Sequence, residues 1–421
     1  MVVNDLYKVK IEKLDHSGRG IAKIDGRIVF VADALSNEEV DIKIIAVKKK
    51  LSDAIIVNYH KKSKDRVSSV CPYYKDCGGC DLLHMRYTSQ LKFKEMKVKE
   101  ITEKFAGIKP SKIKPVLFTE NVTYYRNKIT LKVKNDKIGF YQKRSNKIVH
   151  INECKNANSE INDILDQIKA YLALDGIEEI IIRISENLKQ SMVTVITNEP
   201  LNDKKLRDVF ENCVDTVVVK EKERYYLVLG KGYILEKIGK YKYKISPESF
   251  FQVNSECAKL IFDKVVEYAG LTGKETVLDL FCGTGVIGIY LSEYAKEVLG
   301  IELNRYAVSD ANYNQKLNSL NNIYFICKNA SKIDNIDGAD VVIVDPPRAG
   351  LDMRTIKFLL QNKPNKIVYV SCDPVTLSRD LKLLEEKFEL KEITPIDMFP
   401  GTSHVECVAL LTLKNKERII K

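Results

Sequence analysis

Two hydrophobic periodicities divide this chain. Over residues 1–60 apolar and polar positions alternate one by one, as in Lys8-Val9-Lys10-Ile11 and Arg27-Ile28-Val29-Phe30-Val31. That is the period of a strand with one buried face. Gly18, Gly20 and the Asp25-Gly26 pair punctuate these runs, and short strands so closely spaced predict a small all-β barrel of the OB kind. From about residue 241 to the end, helical patterns alternate with short continuous apolar runs. Examples are Val277-Leu278-Asp279-Leu280, Val298-Leu299-Gly300-Ile301, Val341-Val342-Ile343-Val344 and Ile367-Val368-Tyr369-Val370. Such runs read as parallel strands buried on both faces. Their alternation with helices predicts an α/β domain over 241–421, doubly wound and Rossmann-like. Residues 61–240 mix strands with short helices, a central α+β domain. They include Tyr124-Tyr125-Arg126-Asn127-Lys128, Ile180-Ile181-Ile182-Arg183-Ile184 and a helix near 86–106 expected to pack on the C-terminal domain. No internal repeat and no low-complexity linker interrupts the three.

In an open α/β sheet, ligands bind at the carboxyl ends of the strands, so the residues that end each apolar run decide the chemistry. The first run leads into Asp279-Leu280-Phe281-Cys282-Gly283-Thr284-Gly285, a glycine turn that lets backbone approach a ligand. The second ends in Glu302, 17 residues after Gly285, where a carboxylate can bond both ribose hydroxyls of a nucleoside cofactor. The third ends in Asp345-Pro346-Pro347-Arg348. The competing structural roles are a helix cap for Asp345 and a surface acid for Glu302. Three strand ends in register favour a cofactor, and the Asp-Pro-Pro end favours S-adenosylmethionine over NAD, although Gly288 keeps the dinucleotide spacing after Gly285. Adenine methyltransferases usually carry an aromatic residue after Pro-Pro; Arg348 there argues against adenine as substrate.

The fourth run ends in Ser371-Cys372-Asp373-Pro374. Cys213, Cys257, Cys327 and Cys407 read as inert packing thiols and Cys282 as a loop residue. Cys372 differs because it stands at the reactive edge, where local donors or a helix N-terminus are expected to lower its pKa. The chain then returns through Phe399-Pro400-Gly401-Thr402-Ser403 into His404-Val405-Glu406-Cys407, a hairpin closing the sheet. Glu406 opens so apolar a strand that it is either a strand-end residue reaching solvent or a general base with a raised pKa.

Composition sharpens the picture only in part. The net charge of +11, from 68 Lys and Arg against 57 Asp and Glu, suits an anionic partner without identifying one. Lys48 to Arg66 concentrates seven basic residues (48, 49, 50, 61, 62, 64 and 66) against Asp53 and Asp65, as either a solvated loop or an RNA contact. No apolar run is long enough to span a bilayer and Met1 to Lys10 lacks a signal-type apolar core, so a cytoplasmic protein without a membrane partner is expected. Ten cysteines in such a chain point to metal or catalysis over disulfides. Cys71, Cys77 and Cys80, with Gly78-Gly79 between the last two, have ligand spacing that suits either [4Fe-4S] or structural zinc. His84 is a substitute ligand or, by preference, a surface or outer residue.

Taken together, the N-terminal barrel, the cysteine cluster, Ser246-Pro247 through Ser249-Phe250-Phe251-Gln252-Val253-Asn254, the glycine turn, Asp345-Pro346-Pro347-Arg348, Ser371-Cys372-Asp373-Pro374 and His404-Val405-Glu406 resemble the RNA 5-methyluridine methyltransferases, the uracil-C5 enzymes of tRNA and 23S ribosomal RNA. The resemblance covers nearly the whole chain. It implies a TRAM domain at 1–60 and an iron–sulfur central domain. It implies Cys372 as nucleophile toward uracil C6 and Glu406 as the base that removes the C5 proton. Gln252, Phe281, Glu302 and Asp345 would hold S-adenosylmethionine, with Asn329 near the adenine. Cys154 would be the fourth cluster ligand, and [4Fe-4S] is favoured over zinc. Phe250 or Phe251 would stack on an extruded base, and Arg126 and Lys128 would contact RNA. A TRAM domain with a cluster goes mainly with 23S rRNA enzymes, so a monomeric enzyme of 23S rRNA is expected, with tRNA as the alternative substrate. Two rivals stand beside it. A DNA cytosine-C5 methyltransferase would carry Pro-Cys where this chain has Ser-Cys. A non-catalytic iron–sulfur RNA-binding protein would have no need of Cys372 and Glu406.

Overall fold

A computed structural model of the chain describes residues 1–333, 335 and 338–414. The chain forms two compact units. The first takes Met1–Lys97, Tyr141–Val149 and Phe399–Ser403, and the second Val98–Phe140, His150–Met398 and the chain from His404 onward.

In the first unit the one-by-one alternation folds as predicted. Leu6–Lys10, Lys13–Leu14, Gly20–Ile24, Arg27–Val31, Glu39–Val47 and Leu51–Lys61 form one six-stranded sheet. Val9, Ile11, Ala22, Val29, Val31, Val40, Ile42 and Ile44 make its core. The hairpin between the third and fourth strands turns through Asp25 and Gly26, both at positive φ (48° and 77°), the two-residue geometry that suits the right-handed twist of the flanking strands. The basic stretch is neither a free loop nor all available to RNA. Leu51–Lys61 is a strand. Lys48 reaches Asp53 at 3.5 Å. The Arg66 Nε donates to Glu38, which is fully buried and also accepts from the Leu35 amide at 2.8 Å. A carboxylate so deep needs a partner, and Arg66 is that partner.

The second unit holds two larger sheets. One contains Lys128–Lys134, Ile177–Ser185, Gln190–Thr197, Thr216–Glu221 and Arg224–Leu229. Tyr124 to Asn127 does not extend its first strand. Tyr124 sits at φ 54° with its amide donating to the Lys155 carbonyl at 2.8 Å, and ladder pairing starts only at Lys128.

The other sheet has the order Ile323–Cys327, Glu297–Glu302, Thr276–Leu280, Val341–Val344, Lys366–Ser371, Glu406–Leu413, Phe388–Ile396. The first five strands are mutually parallel. The last two form an antiparallel hairpin. Helices Ser255–Ala269, Val286–Leu291, Arg305–Leu317, Met353–Asn362 and Pro374–Leu384 alternate with the strands, which is the doubly wound mixed α/β fold expected of this region. Its core runs through Leu278, Val342, Tyr369, Leu377, Phe388 and Leu411. No helix among the described residues is long and apolar enough to cross a membrane.

Candidate active site

Strand direction places the site. The five parallel strands deliver Phe281, Glu302, Asp345 and Cys372 to one edge. The strand Glu406–Leu413 runs the other way, so its first residue arrives at that same edge. Ser371 pairs with Cys407, which puts Cys372 and Glu406 one step beyond the last paired residues of neighbouring strands. Cys372 also immediately precedes the helix Pro374–Leu384, whose cap Asp373 accepts from the Val375 amide at 2.7 Å.

The electrostatics of this edge are dominated by desolvated acids. Glu406 is 8% exposed. Burial, and then the nearby Asp345 charge, push its carboxyl up to about 8. Burial alone lifts Asp345 to about 7. Of the two readings for Glu406, the solvated strand end is therefore set aside. Cys372 is half-buried and its thiol is pushed up to about 11, by burial first and by Glu406 second. This corrects the expectation of a lowered thiol pKa. The helix N-terminus lies beside Cys372, but its pull is weaker than the loss of water plus a neighbouring carboxylate. The opposing influence is Arg348, which favours the charged forms of both Cys372 and Glu406. Arg348 Nη2 lies 3.5 Å from His404 Nδ1. These residues leave the two strands that flank Lys366–Ser371, so their contact spans the strand that ends in the thiol.

The glycine turn is built for close approach. Gly283 and Gly285 have φ of 55° and 79°, and a Cβ on Gly285 would lie 2.4 Å from the Phe325 ring. Gly285 opens the helix Val286–Leu291. Glu302 accepts from the Gly283 amide at 3.1 Å and the Asn304 amide at 2.7 Å, so the carboxylate is fixed against the turn. Phe281 is at φ 63°. Asp279 is fully buried and neither carboxyl oxygen has a well-formed hydrogen bond, although the Gly288 amide bears on the group. Burial and the Asp345 charge push it up to about 8. Asn329 uses its side-chain oxygen to accept from Ser331. Gln252 accepts through its backbone carbonyl from Asn127 Nδ2 at 3.3 Å. A glycine cradle, a fixed acidic residue on the next strand and an unsatisfied buried carboxyl beneath the turn fit S-adenosylmethionine, whose ribose hydroxyls and ammonium are donors.

With that geometry in place, the comparisons decide the family. Residues 86–414 match the family model of tRNA (Uracil-5-)-methyltransferase, and residues 3–57 match the TRAM domain. The chain belongs to the tRNA (uracil-5-)-methyltransferase family. Among curated relatives, an RNA methyltransferase of Halalkalibacterium halodurans is 37% identical over 450 residues, 98% of each chain. One from Oceanobacillus iheyensis is 37% identical over 98% of this chain and 97% of its own. The crystal structure of the Pyrococcus abyssi tRNA (uracil-54, C5)-methyltransferase with S-adenosyl-L-homocysteine superposes with a TM-score of 0.80 at 30% identity, covering 96% of this chain and 99% of that one.

For this uracil-5-methyltransferase family member, Cys372, Glu406, Asp345, Phe281 and Glu302 gather at one sheet edge. The cysteines expected as metal ligands are another matter. Cys71, Cys77 and Cys80 lie in the first unit and Cys154 in the second. Cys77 donates its amide to the Tyr73 carbonyl, while Cys154 is held by Asn162 at both its amide and its carbonyl. Among the described residues no group of three or more His, Cys, Asp or Glu side chains could hold a metal ion, so no fit to a cluster is shown. His84 is not on the surface. It is 4% exposed, stacked on Tyr74, with Nδ1 2.6 Å from the Tyr74 hydroxyl. Cys257 and Cys407 are buried as expected, but Cys327 is exposed on the edge strand and is no packing residue. Sequence reasoning did not foresee the unsatisfied state of Asp279 or the Arg348–His404 contact. The Arg after Asp-Pro-Pro was the available signal for the second.

Proposed function

We propose that this protein methylates uridine at C5 in RNA by covalent catalysis, with Cys372 as nucleophile and Glu406 as base. The observation that carries the reading is the convergence of thiol and buried carboxyl on one sheet edge beside the glycine turn. Uracil C5 is too poor a nucleophile to react unaided. Addition of the Cys372 sulfur to C6 breaks the C5–C6 double bond and places its electron pair on the C5–C4–O4 enolate. S-adenosylmethionine supplies an electrophilic methyl group, which C5 takes. Glu406 then removes the C5 proton, and that electron pair restores the double bond as the C6–S bond breaks. Arg348 supports the thiolate. A uracil within a folded RNA must be extruded to reach the edge, and Phe250, 71% exposed and two residues before Gln252, offers a stacking face.

The test is Cys372→Ala. Transfer of tritiated methyl to unmodified RNA is expected to vanish while S-adenosylmethionine still binds, and undiminished turnover would remove the nucleophile. For the substrate, the TRAM domain and the Cys71, Cys77, Cys80 and Cys154 spacing support 23S rRNA and a [4Fe-4S] cluster. The similarity to the Pyrococcus abyssi enzyme supports tRNA. Mapping 5-methyluridine in both RNAs from a strain lacking the gene separates them. Absorbance near 400 nm that bleaches in air, against stoichiometric zinc, decides the metal.

A further inference from the structure

A cavity of about 760 Å³ opens in the second unit, lined by the segment before Lys128, the turn after Ile177–Ser185, the end of the strand Ile234–Ile238 and the start of the helix Ser255–Ala269. None of Cys372, Glu406, Asp345 or the glycine turn contributes to its wall. Its volume lies in the range of nucleotide-sized ligand sites, and its chemistry is particular. Asn121 and Asn187 line it and spend their amide nitrogens on neighbours, Asn121 on Glu256 at 2.7 Å and Asn187 on the Lys237 carbonyl at 2.8 Å. Their carbonyl oxygens accept from no described residue and remain as acceptors on the wall. Glu186 adds a carboxyl that already bonds the Ser255 and Asn158 side chains and is lifted to about 7 by burial and by Glu236 beside it. Two side-chain carbonyls and a carboxyl on one wall suit a ligand edge that brings N–H donors.

Tyr124 supplies the second element. A tyrosine at φ 54° is costly for a bulky side chain. The conformation is held by the Tyr124 amide on the Lys155 carbonyl and by Lys155 Nζ on the phenol at 3.0 Å. The result is an aromatic ring fixed at the cavity and 38% exposed. A solvent cleft has no use for an aromatic side chain held this way; a stacking platform does. Lys237, exposed on the same wall, supplies a cation for a backbone phosphate.

We infer that this cavity is a second nucleobase site, which takes an unstacked base bearing an exocyclic amine from the RNA substrate, with Tyr124 stacking on its face and Asn121, Asn187 and Glu186 accepting from its amine edge. The inference rests on the RNA-methylation reading for its choice of ligand, and adenine is the simplest probe. Fluorescein-labelled nine-residue oligoadenylate and oligouridylate are titrated by anisotropy against the full chain and against Tyr124→Ala and Tyr124→Phe. The wild type is expected to bind oligoadenylate more tightly than oligouridylate. Tyr124→Ala should weaken oligoadenylate at least about fivefold, the lower end of a lost base–aromatic stack, and Tyr124→Phe should keep the preference. Absence of any preference, or one that Tyr124→Ala leaves intact, overturns the site. Free AMP is titrated alongside. Competition by AMP at micromolar concentration would assign the cavity to a mononucleotide and overturn the RNA-base reading. Methyl transfer by the wild type is measured separately. A failure there removes the methylation reading and leaves the binding result standing.

Discussion

Glu406→Gln separates the two roles assigned to this carboxyl, because it should move two readouts in opposite directions. The substitution keeps shape and removes both the charge and the basicity. With its carboxyl at about 8, Glu406 is ionised in about one molecule in ten at pH 7 and in half at pH 8. The rate at which the methylated adduct loses its C5 proton should therefore rise with pH through about 8 in the wild type, read by single-turnover decay of the adduct, and that limb should be lost in the variant. Turnover itself should fall at least about a hundredfold, the lower range for losing a general base, and a denaturant-stable RNA adduct should accumulate because the C5 proton stays in place. Meanwhile Cys372 loses the second largest influence holding its thiol at about 11. At pH 8 only about one thiol in a thousand is ionised. Complete return to the ordinary value of 9.0 would raise that population about a hundredfold, but burial is the larger cause and remains. Iodoacetamide should thus label Cys372 about three- to tenfold faster in the variant at pH 8, read by mass spectrometry of the Cys372 peptide. Equal or slower labelling would refute the electrostatic proximity of the pair. Full methylation without an adduct would refute the base assignment.

Two further outcomes follow from the glycine turn. Asp279, with an ordinary value of 3.8, is pushed up to about 8; its folded form holds a proton more tightly than the unfolded chain. Its contribution to stability is therefore complete below about pH 4 and is lost as pH rises through 8, by at most about 6 kcal/mol for a shift near four units. Thermal unfolding of the ligand-free protein should show a larger drop in Tm from pH 5.5 to 8.5 in the wild type than in Asp279→Asn, and equal drops would refute the burial argument. Gly285→Ala should abolish measurable S-adenosylmethionine binding by calorimetry, since its Cβ would lie 2.4 Å from Phe325 at a backbone φ of 79°. Wild-type affinity would show that the turn relaxes without cost.

Much of this site could be read from the chain because strand ends carry information that survives without a structure. A continuous apolar run must be buried on both faces, so the residue that ends it is forced to the sheet edge. That reasoning put Phe281, Glu302, Asp345 and Cys372 at strand ends, and the strands Thr276–Leu280, Glu297–Glu302, Val341–Val344 and Lys366–Ser371 do end at or immediately before them. It failed where the outcome depends on competition between nearby groups. A thiol before a helix N-terminus reads as acidified. The structure half-buries the thiol and, second, sets an 8%-exposed carboxyl on the adjoining antiparallel strand, and the sign reverses. Tyr124 failed in another way. Its segment has the composition of a strand, but its amide is taken by Lys155, a partner 31 positions away that no local pattern announces.

The raised thiol and carboxyl values are coherent with the proposed chemistry. A permanently ionised Cys372 beside an ionised Glu406 would place two negative charges in a site with little water to screen them. With both protons retained, the empty site avoids that cost. Nucleophile and base are then needed in sequence, the thiolate before methyl transfer and the carboxylate after it. When sulfur adds to C6, negative charge moves off the sulfur into the uracil enolate, and methyl transfer discharges it, so no thiolate stands beside Glu406 at the stage where its base form is required. Arg348, which favours the charged form of both groups, can serve each in turn without moving. Its Nη2 lies 3.5 Å from His404 Nδ1 across the intervening strand. The same desolvation that slows the free thiol thus also protects it from adventitious alkylation and oxidation, which require the thiolate.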